Sequence, residues 1–188
     1  DNALLILSNC KAYELTGRSF YLEVAQKTAS YVLSEMTSPN GGFYSAQDAD
    51  SDGEEGKYYV FTPEEIIGLL GQADGAAFCE RFGITKAGNF KGKSIPNLLH
   101  AKDLTDERFD PFLPALREYR RGRTHLHTDD KILTAWNALM IAALCRLHRC
   151  SRNPRYLEAA KEAQGFIENI LRNHDTLYVS VRDDKLGE

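Results

Sequence analysis

The sequence predicts an all-α protein that forms part of an (α/α) toroid of helical hairpins and carries short β-hairpin insertions. Two observations predict this fold class. Helices that are apolar on nearly every side alternate with helices that have one apolar stripe, and the two ends of the chain repeat one another. If the first kind of helix forms an inner ring and the second an outer ring, each hairpin buries its faces against further hairpins.

Composition limits the classes of function. The 188 residues are sufficient for one domain, and their 43% hydrophobic and 27% charged content is typical of globular proteins. With a net charge of −4 and no basic run, nucleic acid is not an expected partner, and no apolar stretch is long enough to span a membrane. The four cysteines lack CxxC spacing, which favours a reducing, cytoplasmic location. The chain starts inside an apolar helical pattern, so we expect a piece of a longer protein.

The first helical hairpin is predicted from residues 2–15 and 20–36. Residues 2–15 are apolar nearly all round, and Gly17 suits the end of that helix. Residues 20–36 carry one apolar stripe at helical spacing. The chain therefore begins with one inner and one outer helix.

An acidic stretch at residues 41–61 follows the first hairpin. Aromatic-rich runs at 43–46 and 58–61 predict two strands of a β-hairpin. The loop between them carries five carboxylates: Asp48, Asp50, Asp52, Glu54 and Glu55. Such a loop gains from a bound cation, proton or polyol, although a solvated surface loop is the alternative.

Shorter elements are predicted in the middle of the chain. Thr62, Pro63 and Glu65 form a helix start with a capping box, and helices are predicted to about Leu70 and over residues 74–82. A glycine- and lysine-rich loop at 83–94 and an extended stretch at 95–104 lead to a helix over 111–123. That helix ends in four arginines that complement the helix dipole: Arg117, Arg120, Arg121 and Arg123.

The second hairpin repeats the first at an offset of 135 residues, since Asn2-Ala3-Leu4 corresponds to Asn137-Ala138-Leu139. Helices are predicted over 133–149 and 154–171, and a strand over 176–181. The repeat-like units span residues 1–50 and 136–184 of a chain that we interpret as a fragment of a single toroid domain, residues 1–188. An open helical solenoid is the alternative architecture.

Three segments resemble the family of spermatogenesis-associated, thioredoxin-domain-containing proteins: residues 41–65, 88–90 and 129–137. The resemblance implies an N-terminal thioredoxin-like domain, which is absent here, as a partner within the full-length chain. It also implies an (α/α)6 toroid similar to six-hairpin glycosidases and N-acylglucosamine 2-epimerases, of which this chain is the central part. Ala138 departs from the family pattern, where we expect Gly.

The resemblance and the carboxylates together predict a carbohydrate site. Glycoside cleavage and sugar epimerisation both need an acid and a base, and Asp48 or Asp50 is expected to act with Asp129 or Asp130. The alternative is helix capping by Asp129 and Asp130, plus a salt bridge to Lys57 or Lys131. The residues expected to bind the sugar are Tyr44, Glu54, Tyr59, Lys131, Trp136 and Asn137.

Several alternatives stay open. Aromatic residues at these spacings more often belong to the core, although Trp136 stands at the start of an inner helix, where a pocket would lie. Asp48, Asp50 and Asp52 match the first half of a calcium-binding EF-hand loop, but Tyr59 stands where Glu is required. His125 and His127 are half of a possible metal site. Otherwise no cofactor is expected.

The predicted function is a glycoside hydrolase or sugar epimerase. The alternative is a non-catalytic binding or scaffold module that accompanies the thioredoxin-like domain. The enzyme hypothesis expects the hairpin acids and the second pair of acids to share a cavity with Trp136, whereas the alternative expects the acidic loop to point into solvent. Inner helices exposed at the chain ends would also favour self-association of the fragment.

Overall fold

A computed structural model describes residues 1–187, and this part of the chain is mostly helical, as predicted. The chain folds into two compact units. Unit 1 comprises Asp1–Ala46 and the chain from Thr128 on, and unit 2 comprises Gln47–His127. Within residues 1–187 no helix has both the length and the apolar composition needed to cross a bilayer.

The described residues contain seven α-helices and nine short strands. The helices are α1 (Asn2–Thr16), α2 (Ser19–Glu35), α3 (Pro63–Leu70), α4 (Gln72–Arg81), α5 (Leu113–Arg123), α6 (Thr134–Ser151) and α7 (Pro154–Phe166). A 3₁₀ turn, Asp110–Phe112, precedes α5, and a π-helical turn, Ile167–Leu171, follows α7. The strands are β1 (Ala46–Gln47), β2 (Asp50–Ser51), β3 (Glu54–Glu55), β4 (Thr128–Asp129), β5 (Ile132–Leu133), β6 (Arg172–Asn173), β7 (Thr176–Leu177), β8 (Ser180–Arg182) and β9 (Lys185–Gly187).

Unit 1 is built from two helical hairpins, α1–α2 and α6–α7, with α1 packed against α6. Near the end of α1, Glu14 forms an ion pair with Arg146 and accepts a hydrogen bond from the Cys150 thiol, both near the end of α6. The C-terminal turns of the two helices therefore lie side by side. This is the arrangement expected of equivalent helices in a repeat.

The two apolar helices of unit 1 are not buried on every side, which corrects the expectation from their composition. α1 buries Ala3, Ile6 and Cys10, whereas Leu4 and Leu5 are about half exposed. On α6, Leu139 is 43% exposed. A helix that is apolar all round needs neighbours on every side, and the described residues supply them on only part of each helix.

The C-terminal strands also differ from the prediction of one strand over 176–181. β7 pairs with β6, whereas β8 pairs with both β5 and β9 in antiparallel register. Asp183 and Asp184 form the turn between β8 and β9, with φ angles of 49° and 58°. Because β5 directly precedes α6, this small sheet fixes the N-terminal end of α6.

Unit 2 has a core of aromatic side chains. The Phe78 and Phe82 rings of α4 stack 4.3 Å apart, and Phe109 meets both edge-on. Ile66 of α3 and Leu116 of α5 complete this cluster. Residues 95–104, expected to be extended, form no strand.

The acidic hairpin is closed differently from the prediction. Residues 43–46 and 58–61 do not pair with each other, because Phe43 bridges to Thr37 and Phe61 to Ser94. The hairpin is instead β2–β3, in which Asp50 pairs with Glu55 across a two-residue turn. Asp52 and Gly53 adopt φ angles of 52° and 77° in that turn. Asp-Gly is a strong signal for a two-residue hairpin turn, and this dipeptide, not the aromatic runs, sets the position of the hairpin.

Candidate functional site

The predicted site residues are divided between the two units. Unit 2 contains Asp48, Asp50, Glu54 and Tyr59. Unit 1 contains Tyr44, Asp129, Asp130, Lys131, Trp136 and Asn137.

Asn137 is the buried polar centre of unit 1, with 1% of its surface exposed. Its side-chain oxygen accepts a hydrogen bond from the Phe43 N–H at 2.7 Å. Its amide nitrogen donates to the carbonyls of Phe43 and Leu133, both at 3.0 Å. One side chain thus satisfies both backbone groups of Phe43, which would otherwise be buried without partners, and adds a second hydrogen bond to the N-cap carbonyl of Leu133. Asn137 therefore belongs to the framework of the site and leaves little surface for a ligand.

Asp129 and Asp130 form ion pairs with Arg182, which the sequence did not indicate. The Arg182 Nε lies 2.8 Å from Asp130 Oδ1, and the guanidinium lies 3.8 Å from Asp129 Oδ1. Neither aspartate caps α6, whose N-cap is Leu133. The capping alternative is therefore wrong, and the cation that pairs with these two aspartates is Arg182 rather than Lys131, while Lys57 pairs with Asp52. No sequence signal relates Arg182 to these acids, because β8 brings it there through tertiary pairing.

Asp129 is held in its ionised form. The Ser45 hydroxyl and then the Lys131 N–H, which donates to Asp129 Oδ1, hold the pKa of the Asp129 carboxyl below its ordinary value. An ionised carboxylate at neutral pH accepts protons and does not donate them. Asp129 is therefore suited to the role of base or nucleophile, and not to that of general acid.

The aromatic candidates of unit 1 differ in exposure. Trp136, in the first turn of α6, is 54% exposed and is the only tryptophan of the sequence. Tyr44 is partly buried against the hydrophobic core, and its N–H donates to the Met36 carbonyl. The core alternative thus applies to Tyr44, while the indole of Trp136 is accessible to a ligand.

In unit 2, three of the five hairpin carboxylates are paired with lysines. Asp52 lies 2.9 Å from Lys57 and accepts a 2.6 Å hydrogen bond from the Thr124 hydroxyl. This hydroxyl and then Lys57 lower the pKa of Asp52. The other two pairs are Glu54–Lys93 and Glu55–Lys91. The lysine-rich loop thus neutralises the acidic hairpin, and Glu54 is engaged in an exposed ion pair.

Asp48 and Asp50 are the hairpin acids that no described cation neutralises. Asp48 Oδ1 accepts the Asp50 N–H at 3.0 Å, and the Asp48 N–H donates to the His127 carbonyl. Both side chains are exposed. Their carboxylates remain available for protons or a ligand.

Tyr59 lies beside Arg120, for which the sequence predicted only a role in complementing the helix dipole. The guanidinium of Arg120 lies 4.5 Å from the ring centre of Tyr58 and 6.0 Å from that of Tyr59. Burial raises the pKa of Tyr59, Arg120 opposes the shift, and the negative charge of Asp48 adds to it. Asp48, Tyr59 and Arg120 are therefore close enough to interact electrostatically.

A second arginine, Arg123, holds the backbone at Lys57 and Tyr58, which follows the β2–β3 hairpin. It forms a 3.0 Å ion pair with Glu65 and donates to the carbonyls of Lys57 and Tyr58. Glu65 also accepts from the Tyr119 hydroxyl and from the Thr62 N–H of the capping box. This network attaches residues 57–58 to α3 and α5.

The calcium alternative gains no support. Within residues 1–187 no group of three or more His, Cys, Asp or Glu side chains could hold a metal ion. The carboxylate of Asp52, one of the three expected ligands, is occupied by Lys57 and Thr124. His125 and His127 belong to no such group either.

Comparison with known proteins gives a consistent set of relatives, although no family model matches the chain. Human spermatogenesis-associated protein 20 is 32% identical over 178 aligned positions, which cover 76% of this chain and 23% of the human protein. The mouse protein of the same name is 30% identical over the same share of this chain. An uncharacterized protein of Caenorhabditis elegans, B0495.5, is 28% identical over 83% of this chain.

The relatives are longer than this chain, and each alignment covers only part of the relative. The chain spans about a quarter of the length of the curated relatives that it matches. At about 30% identity over three quarters of its residues, the chain is homologous to spermatogenesis-associated protein 20.

Proposed function

We propose that this chain is part of a carbohydrate-active domain and that Trp136 and the acids before α6 contact the sugar. The observation that carries the proposal is the half-exposed indole of Trp136 in the first turn of α6, six residues after Asp130. Ligand sites combine an apolar or aromatic surface with a few placed polar groups. An indole face stacks on the apolar face of a sugar ring, and carboxylates and arginine bond its hydroxyls.

The frame around this site is rigid, which supports a binding role. Asn137 fixes the segment of Phe43 to α6, and the Thr134 N–H and hydroxyl bond the carbonyls of Val179 and Tyr178. Polar groups held by such hydrogen bonds lose little conformational entropy when a ligand binds.

For a catalytic site, the ionised Asp129 would serve as the base or nucleophile. Asp48 and Asp50, which no described cation neutralises, are the candidates for the acid. The pairing of one of them with Asp129 or Asp130 stays a prediction. Either a hydrolase or an epimerase would use these roles.

The same proposal includes the finer architecture. We propose that the two hairpins of unit 1 belong to an (α/α)6 toroid, in which further hairpins cover Leu4, Leu5 and Leu139. The packing of α1 against α6 and their exposed apolar faces support this arrangement. A thioredoxin-like domain would precede the toroid in the full-length protein.

The test is calorimetric titration of the full-length protein with a panel of mono- and oligosaccharides. We expect binding that Trp136→Ala abolishes and Asp129→Asn weakens. Leu15→Ala, which alters another exposed apolar residue of unit 1, should leave binding unchanged. In the 188-residue chain, the fluorescence of its single tryptophan gives a second readout. No saccharide binding, or equal binding by the Trp136→Ala variant, would contradict the proposal.

Turnover is tested separately with the saccharide that binds best. General acid–base residues contribute about 10²- to 10⁴-fold to the rate. Asp129→Asn and Asp50→Asn should each lower kcat by an amount in that range, if the site is catalytic. Binding without turnover would leave a carbohydrate-binding domain.

A second candidate is a non-catalytic module that accompanies the thioredoxin-like domain. All five hairpin acids are exposed, and three of them form ion pairs with lysines. Both features favour this alternative. Hydrogen exchange of the full-length protein, with and without its thioredoxin-like domain, is the test. Protection of β2 and β3 that depends on the domain supports the module, and unchanged exchange there argues against it.

A further inference from the structure

Unit 2 contains an apolar cavity of about 180 Å³ whose lining includes none of the acids discussed above. Its lining includes the buried side chains of Phe61, Ile66, Phe78 and Leu116. Two cations of α5, Arg117 and Arg120, also line it. Arg117 is exposed, and Arg120 is half-buried, so the charged part of the lining lies toward solvent.

Arg120 has hydrogen-bonding capacity that the described residues do not use. No residue within 1–187 accepts a hydrogen bond from its guanidinium nitrogens, and its Nε is buried. Arg123, one turn further along α5, donates instead to Glu65 and to two carbonyls. A buried donor without an acceptor is costly, so a native site usually holds a water, ion or ligand there.

The stacking of Arg120 on Tyr58 makes this arginine a suitable anion receptor. The Arg120 guanidinium carbon lies 4.5 Å from the centre of the Tyr58 ring, and this contact holds the guanidinium beside the ring while its N–H groups remain unbonded by described residues. A planar guanidinium matches the two oxygens of a carboxylate. Glu65 of α3 is already bonded by Arg123, Tyr119 and Thr62.

We propose that this cavity binds a small aromatic carboxylate, with one ring among the apolar side chains and the carboxylate bonded to Arg120 and Arg117. The size of the cavity sets the size of the ring, because an apolar cavity of about 150 Å³ holds one benzene molecule. Sugars do not suit this cavity, since its buried floor consists of hydrocarbon groups. The site is therefore distinct from the proposed carbohydrate site, and either can fail without the other.

The test uses the whole 188-residue chain and 3-phenylpropionate as the probe, with binding measured by ligand-observed NMR and calorimetry. We expect saturable binding, which is about tenfold or more weaker for the neutral 3-phenylpropionamide, because a charge-assisted hydrogen bond is lost. Arg120→Gln should weaken carboxylate binding by a similar factor, and Arg117→Gln by less. Arg121→Gln removes the same charge from α5 at a position that does not line the cavity, and should leave binding unchanged.

A second variant tests the cavity without touching the arginines. Leu113 also lines it and is half-buried, so Leu113→Trp should fill it and abolish binding, with the fold checked by circular dichroism. Equal binding of the acid and the amide would overturn the proposal. So would binding that survives both Arg120→Gln and Leu113→Trp, or an absence of saturable binding by the unaltered chain.

Discussion

The core of unit 1 and the core of unit 2 are stabilised by different kinds of side chain. The core of unit 1 has many small side chains, which let long helices approach closely: Ala3, Ala25, Ala29, Ala143, Ala160 and Ala163. One buried side chain, Asn137, then joins a helix to the backbone beside it. Unit 2 has shorter helices around clustered phenylalanine rings, and two arginines lie over neighbouring aromatic rings, Arg120 over Tyr58 and Arg123 over Phe61.

The difference shows how each unit positions its candidate acids. In unit 1 the acids precede a helix whose start is fixed by Asn137 and by a small sheet. In unit 2 the candidate acids lie on or next to the β2–β3 hairpin, which has a two-residue turn and is anchored by ion pairs with Lys57, Lys91 and Lys93. Buried hydrogen bonds fix geometry more firmly than exposed ion pairs do, so we expect unit 1 to hold its acids more rigidly.

The largest expected effect would break the framework of unit 1. Asn137→Ala leaves the Phe43 N–H and carbonyl without partners in a buried position, so the free energy of unfolding should fall by about 3 kcal/mol. Urea denaturation measures this change, and hydrogen exchange should show the loss of protection in α6. The neighbouring Leu139→Ala, at an exposed position, should change stability by less than about 0.5 kcal/mol. Similar effects of the two substitutions would contradict the framework role of Asn137.

The next effect concerns the Glu65–Arg123 network of unit 2. Burial acts to raise the pKa of Glu65, but the hydrogen bonds from Thr62, Tyr119 and Arg123 together outweigh it and lower that pKa from 4.5. Glu65→Gln should therefore cost about 2 kcal/mol at neutral pH. In hydrogen exchange, Glu65→Gln should lower protection in α3 and α5, whereas Asn137→Ala should lower it in α6.

The pH dependence of this effect has a defined sign. Because the folded pKa is depressed, the stabilisation from Glu65 is fully present above pH 4.5 and is lost as pH falls through the folded pKa. The stability difference between wild type and Glu65→Gln should shrink over that acidic range. Glu118→Gln, an exposed change on α5, is the control. A difference that stays constant down to strongly acidic pH would mean that the charge of Glu65 contributes little.

The smallest effect distinguishes two glycines of the acidic hairpin segment. Gly53 and Gly56 both have a φ of 77°, which a side chain adopts at a cost of about 1 kcal/mol. A Cβ at Gly53 meets nothing within 4 Å, whereas one at Gly56 would lie 2.7 Å from the ring of Phe90. Gly56→Ala should therefore cost about 1 kcal/mol more than Gly53→Ala in urea denaturation. Equal costs would show that Phe90 moves aside freely.

The sequence alone determined most local structure. The helices over 2–15 and 20–36 were predicted within about one residue of α1 and α2, and the left-handed end of α1 at Gly17 is confirmed. The Thr62–Glu65 capping box and the Asn153 cap are confirmed by their hydrogen bonds. These features depend on residues within four positions of one another, so neighbouring residue types are sufficient to specify them.

Only the tertiary structure decided which groups meet. Arg182 reaches Asp130 from 52 positions away, and Arg123 reaches Glu65 from 58, through the pairing of β5 with β8 and the packing of α3 with α5. The exposure of Leu4 and Leu139 likewise depends on which elements surround each helix. Residue type records whether a side chain is apolar or charged, but the long-range packing of the chain sets its partner and its exposure.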